Sequence, residues 1–194
     1  MRNPHPKYGR FRFDAGSLSL NFVATVRHRG SQPRDLLATP EALSHWFASA
    51  GCRGGAVTST DKDLGDALIL REAIYRALSS LVQEKNPAPA DMKLINAAAS
   101  EPLSAPQVEL PSCRIRWESA NPARSCLAEV ARDAVMVIGG GDRQRLKECD
   151  SAGCRMLYID NSPANRRRWC SMSICGNREK IRVFRQRKKR PEAV

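Results

Sequence analysis

Four of the seven cysteines fall into two C-x4-C pairs, Cys149 with Cys154 and Cys170 with Cys175, and fifteen residues separate the pairs. Two short turns that each offer two thiolates can close a tetrahedral shell. Zn2+ suits that shell, because it demands no other geometry and does no redox chemistry. The spacing therefore predicts one structural zinc held by all four sulfurs, with no open position at which water is activated. A four-thiolate iron–sulfur cluster uses the same ligand type and stays open on the residues alone. Cys52, Cys113 and Cys126 are scattered and read as ordinary buried or half-buried thiols. Neither an odd cysteine count nor the reducing compartment of a cytoplasmic protein fits a disulfide framework.

The charge of the chain collects around the same cysteines. Of a formal net charge of +12, the segment from Arg143 to Arg190 carries +11, whereas residues 1–142 are nearly neutral at +2. A block this basic is usually a polyanion-binding surface, and nucleic acid is the commonest polyanion in a cytoplasm. A helix from Arg178 to about Lys189, with Gly176 in a left-handed turn and Asn177 as its cap, would place Arg178, Arg182, Arg185 and Lys189 on one ridge. Lys180, Arg187 and Lys188 extend the charge around that helix, and Arg166, Arg167 and Arg168 add a second patch before the third thiolate. Ile181 and Phe184 flank the ridge and are expected to pack onto the finger near Trp169 or Leu157. Arginine prevails in this block, and its planar fork suits phosphate oxygens and guanine edges.

Evidence for catalysis is lacking by comparison. His5, His28 and His45 form no metal-protease array and stand beside no nucleophile motif, there is no P-loop, and Gly139-Gly140-Gly141 lacks the Lys-Ser/Thr ending of a phosphate cradle. The expectation is a protein that is not an enzyme. No stretch of about 18 apolar residues occurs, so a cytoplasmic protein without a membrane span is expected.

The elements that must position these residues can be read from periodicity and caps. Arg10-Phe11-Arg12-Phe13 alternates as a strand does. Ser17 can cap a helix carrying Leu18, Phe22 and Val23. Thr39-Pro40-Glu41 opens a second helix, which Gly51 closes after Trp46 and Phe47. A third runs from Thr60 or Asp61 to about Glu84 and ends at Asn86-Pro87. A shorter helix spans Ala88 to Ser100, Cys113–Trp117 reads as a strand or hairpin arm, and Pro122 opens a helix that stops at Gly139. Lys62 and Arg71 on the third helix read as surface charge.

The residues themselves resemble a known type. The first cysteine pair, Leu157-Tyr158-Ile159-Asp160-Asn161-Ser162, Arg167-Arg168-Trp169-Cys170-Ser171-Met172 and above all Cys175-Gly176-Asn177-Arg178 resemble the CGNR-type zinc finger of bacteria. Upstream, Leu18–Thr25, Asp35-Leu36-Leu37 with Thr39–Leu43, and Leu70–Arg76 look like the ABATE domain that precedes this finger. Asn21 departs from the pattern, which leads one to expect an acid there. The resemblance implies a stress-induced transcription regulator. It also implies a division into a mostly helical sensor domain (1–141), the finger with its basic helix (142–190) and a tail (191–194).

The chain is thus expected to be mainly α with a minor β component (α+β). A helical domain should be followed by a small four-cysteine zinc finger with a short hairpin and a C-terminal basic helix. The expected function is DNA binding, most of all to duplex DNA, with an RNA-associated or protein-interaction module as the alternative. A small-molecule effector at the first domain and a homodimer are left open by the sequence.

Overall fold

The computed structural model describes residues 11–53 and 57–189, with side chains to residue 186. Arg10, at the start of the expected strand, His5 and Arg190 lie outside the described residues.

Four of the five described helices of the first domain begin where a side chain satisfies free N–H groups, and α4, after Ala88, is the one that does not. Ser17 accepts from Leu20 at the start of α1 (Leu18–Val23), Thr39 accepts from Ala42 at α2 (Pro40–Ala50), and Asn121 accepts from Arg124 at α5 (Pro122–Gly139). The long helix α3 (Asp61–Val82) has a reciprocal box, in which Thr60 caps Asp63 and the Asp63 carboxylate binds the Thr60 N–H. Gly51 takes the left-handed conformation, φ 74°, that ends α2. The short helix α4 is Pro89–Ala99. Short α1 gains a second support from the Asp133 carboxylate of α5, which accepts the Ser19 N–H at 2.7 Å at the positive end of the helix.

The helices close over one apolar interior. Trp46 is fully buried, with its ring 4.9 Å from Phe22 and 5.9 Å from Phe47, and Leu20, Leu43, Ile74, Leu78, Ile95 and Val130 bring all five of these helices to the same core. Burying each such side chain contributes about 1.5–3 kcal/mol.

Among the described residues, strands appear only as three antiparallel pairs. β1 (Val26–Arg27) pairs with β2 (Arg34–Asp35), β3 (Ala105–Glu109) with β4 (Arg114–Glu118), and β5 (Leu146–Glu148) with β6 (Leu157–Ile159). The protein is accordingly mainly α with a minor β component. Phe11–Phe13 form no strand, contrary to the alternation. Their inward and outward alternation is met instead by burying Phe11 beside the His45 ring and turning Arg12 toward Cys170. Cys113 is exposed at the turn between β3 and β4, so it is not the half-buried thiol that the sequence suggests.

The cysteine-rich region does not hang free. The Ile159 N–H of β6 donates to the Ala15 carbonyl at 2.8 Å. Gly16 beside it has φ 102°, and a Cβ there would lie 2.7 Å from the Ile159 Cβ. Both the backbone conformation and the contact demand glycine. On the other flank, the Gly30 N–H in the β1–β2 loop donates to the Gly153 carbonyl between the first two cysteines. One continuous core runs from Phe11 to Cys175.

Candidate metal centre and cationic face

Hairpin β5–β6 fixes the first knuckle. The Cys149 N–H donates to the Met156 carbonyl at 3.0 Å and the Cys154 N–H to the Ser151 carbonyl, with Gly153 at φ 76° making the turn. The second pair is brought over it by Asp160. This carboxylate is fully buried and accepts from Lys147 Nζ at 2.7 Å and from the N–H groups of Ser162 and Arg167. Burial works against its charge, but these donors prevail and hold it well below the usual carboxylate range. Tyr158 donates its hydroxyl to the Arg167 carbonyl at 2.8 Å. The segment leading to Cys170 is therefore tied to β6 from both sides.

All four cysteines are buried, and their sulfurs lie within 4.8 Å of one another. The separations Cys154–Cys170, Cys170–Cys175 and Cys175–Cys154 are 3.9, 3.6 and 3.6 Å. A tetrahedron with zinc–sulfur bonds of about 2.3 Å has sulfur–sulfur edges of about 3.8 Å, so the cluster matches the shell of one Zn2+. The protonation chemistry agrees. Hydrogen bonding from Cys149 and Cys154, helped by the Arg12 charge, pulls the Cys170 thiol down to about 2, while sharing with Cys149 and Cys170 and burial push Cys154 up. A bound dication favours the thiolate form of such ligands. The Cys170 N–H donates to Cys149 Sγ at 3.4 Å and Arg12 donates to Cys170 Sγ at 3.4 Å, the kind of outer support that thiolate ligands require. These four cysteines can hold one zinc ion.

From Cys170 the chain passes through one wide turn, Met172–Gly176, directly into α6 (Asn177–Lys189). Gly176 is not left-handed and Asn177 is not an extended cap, as the sequence suggested. Ser171 caps the wide turn by accepting from Ile174, and the helical run is continuous. Gly176 is needed for closeness, since a Cβ there would meet Met172 Sδ and the Trp169 ring at 3.3 Å. Ile181 and Phe184, expected to pack onto the finger, are 44% and 59% exposed in α6.

The cations sort into two groups. Arg166, Arg178, Lys180 and Arg185 are exposed. Arg182 is exposed as well, but Nε binds Glu179 Oε1 at 2.8 Å. Arg168 pairs with Asp150 at 2.8 Å. Surface pairs of this kind exchange readily for a phosphate partner. Arg167 is used inside the finger, with its guanidinium donating to the Cys170 carbonyl at 2.6 Å and lying over the Tyr158 ring. Arg187, Lys188 and Lys189 continue α6, and their side chains lie outside the described set.

The first domain contains a contact network that the sequence did not reveal. Arg71 is not surface charge: it is buried, forks onto Asp35 at 2.8 and 2.6 Å, and donates to Glu72 and Thr25. Arg29 forks onto the same Glu72 and lies 4.0 Å from the Tyr75 ring centre. Asn21 accepts the Ala15 N–H at 3.0 Å and so steadies the backbone that receives β6. The basic turn-forming run Arg27-His28-Arg29-Gly30-Ser31-Gln32-Pro33-Arg34 was the available signal for a loop that docks on a knuckle. Among the described residues no helix is long and apolar enough to cross a membrane.

Two family models match the chain. One, ABATE, described as "Putative stress-induced transcription regulator", covers residues 16–141, and the CGNR zinc finger model covers residues 145–188. No curated protein gives a match.

Proposed function

We propose, from the premise that the chain belongs to the ABATE family and carries a CGNR zinc finger, that it is a DNA-binding regulator that uses the zinc centre to hold a cationic helix out to duplex DNA. The observation that carries this reading is the exposure of Arg178, Lys180, Arg182 and Arg185 on a helix that springs from the fourth thiolate. A helix clamped at one end and cationic along its length suits entry into a groove lined by phosphates. The zinc is structural, so the chain acts by binding and not by catalysis.

A sensing role for the first domain is supported by a cavity of about 500 Å3 between α3, α4 and the start of α5. Its floor is Leu70, Leu94 and Leu127, with Asp66, Glu101 and Arg124 on the rim, and its size falls in the range of small-molecule sites. One observation favours the RNA alternative: Phe184 stands exposed among the arginines, where it can stack on an unpaired base. Selection of genomic DNA fragments by the zinc-loaded chain, with free RNA as competitor, separates the two. Enrichment of particular duplex fragments that RNA does not displace is the expected result. Displacement of all DNA by single-stranded RNA would overturn it.

A further inference from the structure

Hairpin β3–β4 lies open to solvent along both strands, and Trp117 is the one residue of the two that is half-buried, with the Arg53 guanidinium 5.1 Å from its ring centre. The pairing sets Val108 opposite Ile115 and Pro106 opposite Trp117. Side chains alternate along a strand, so these four share one face. Val108 and Ile115 are each 68% exposed, and Leu110, at the turn, is 78% exposed. The other face is polar, with Gln107 and Glu109 of β3 opposite Arg116 and Arg114 of β4. A two-stranded ribbon gains little stability by itself, and one that turns an apolar face to water marks an interaction surface. Among the described residues no third strand joins the hairpin, so both of its edges are free.

We infer that β4 is the seat of a homodimer, in which the β4 strands of two copies pair antiparallel about a two-fold axis at Arg116 and join the hairpins into one four-stranded sheet. The occupant is read from the charge order of the strand, Arg114-Ile115-Arg116-Trp117-Glu118. Laid antiparallel on itself, this strand sets Arg114 opposite Glu118 of the partner subunit and Ile115 opposite Trp117 of the partner subunit, each pair occurring twice. Opposite charges and aromatic with β-branched side chains are the pairs that stabilise neighbouring strands. Arg116 meets its own counterpart at the axis, where its guanidinium is already bonded to Glu118 of its own strand. The apolar faces fall on the same side of the joined sheet and cover one another's flanks. β3 is the poorer edge, because Pro106 brings it no N–H, whereas β4 has no proline. Pairing of β3 with β4 of another copy would be head-to-tail and leave an edge for further copies, but β4 on β4 closes. This surface is separate from α6, and the inference stands whether or not the chain binds DNA.

Sedimentation equilibrium of the zinc-loaded full chain over a dilution series, without nucleic acid, tests the interface. Reductant is present throughout, because Cys113 is exposed at the turn of the hairpin. A dimer that dissociates on dilution is expected. Arg114→Glu sets like charges against Glu118 of the partner subunit, and Glu118→Arg sets them against Arg114 of the partner subunit. Each variant alone should raise the dimer dissociation constant about tenfold. In an equimolar mixture of the two variants opposite signs meet again, and association should return to near the wild-type level. Ile115→Ser, at a site exposed in the single chain, should also raise the dissociation constant about tenfold, with zinc content and circular dichroism unchanged in all variants. A chain that is monomeric at every concentration overturns the inference and leaves the hairpin face to a partner of another kind. A dimer that none of the three substitutions weakens is joined elsewhere and overturns it too, as does a mixture that fails to recover.

Discussion

At the scale of single residues, the zinc centre and its seam with the first domain depend on a few atoms that admit no substitute. Cys170 is central, since its sulfur lies within 4 Å of two other cysteine sulfurs and accepts from Arg12. Cys170→Ser should abolish zinc retention, and elemental analysis of the wild-type chain purified without added metal should give one zinc and no iron. Gly16 is constrained twice, by φ 102° and by the Ile159 side chain 2.7 Å from where a Cβ would stand. Gly16→Ala should therefore destabilise the chain by about 1–3 kcal/mol, read as a fall in the denaturation midpoint, whereas Gly65→Ala should not, since nothing lies within 4 Å of that position. The cysteine spacing made the zinc ligands legible because the chemistry is local to two short turns. Arg71 and Asn21 were not legible, because their meaning lies in partners brought close by the fold: Asp35 and Thr25 for one, the Ala15 backbone for the other.

At the scale of elements, α2, α3 and α5 could be read in advance because caps and apolar periodicity act within one turn of the chain. The β1–β2 pair could not, being two residues long on each side and held by its docking on Gly153. The outward charged face of α6 was legible, but the partial exposure of its apolar flank was not, since periodicity shows that Ile181 and Phe184 share a flank but not how much of it is covered. That exposure leads to a prediction about charge. Replacing Arg178 and Arg185 together by Ala should weaken duplex binding about tenfold or more and flatten the salt slope by about one to two units, without loss of zinc. The proper control is Lys62→Ala with Lys93→Ala, two exposed cations of the first domain. Arg71 does not serve, because it is buried and bonded to Asp35, Glu72 and Thr25, so its removal should lower stability by itself. Equal loss from both pairs would mean that diffuse charge carries the binding.

At the scale of the whole molecule, the zinc centre is a junction as much as a staple. The segment from Phe11 to Gly16 touches Cys170 through Arg12 and β6 through Ala15, the β1–β2 loop holds the first knuckle, and the core is continuous across the boundary near Gly141. A chain ending near Gly140 should then melt at a lower temperature than the first domain of the full protein, and should bind no nucleic acid. Removal of zinc should act on α6 and on the seam together, which gives a direct route from the first domain to the helix that meets a polyanion. Whether zinc presents this helix to duplex DNA is decided by duplex affinity across a salt series for the zinc-loaded and the chelator-stripped full chain. Tight binding with a steep negative slope in log affinity against log salt, collapsing on removal of zinc, is the result expected; binding that is absent at low salt, or that survives the loss of zinc unchanged, would contradict it.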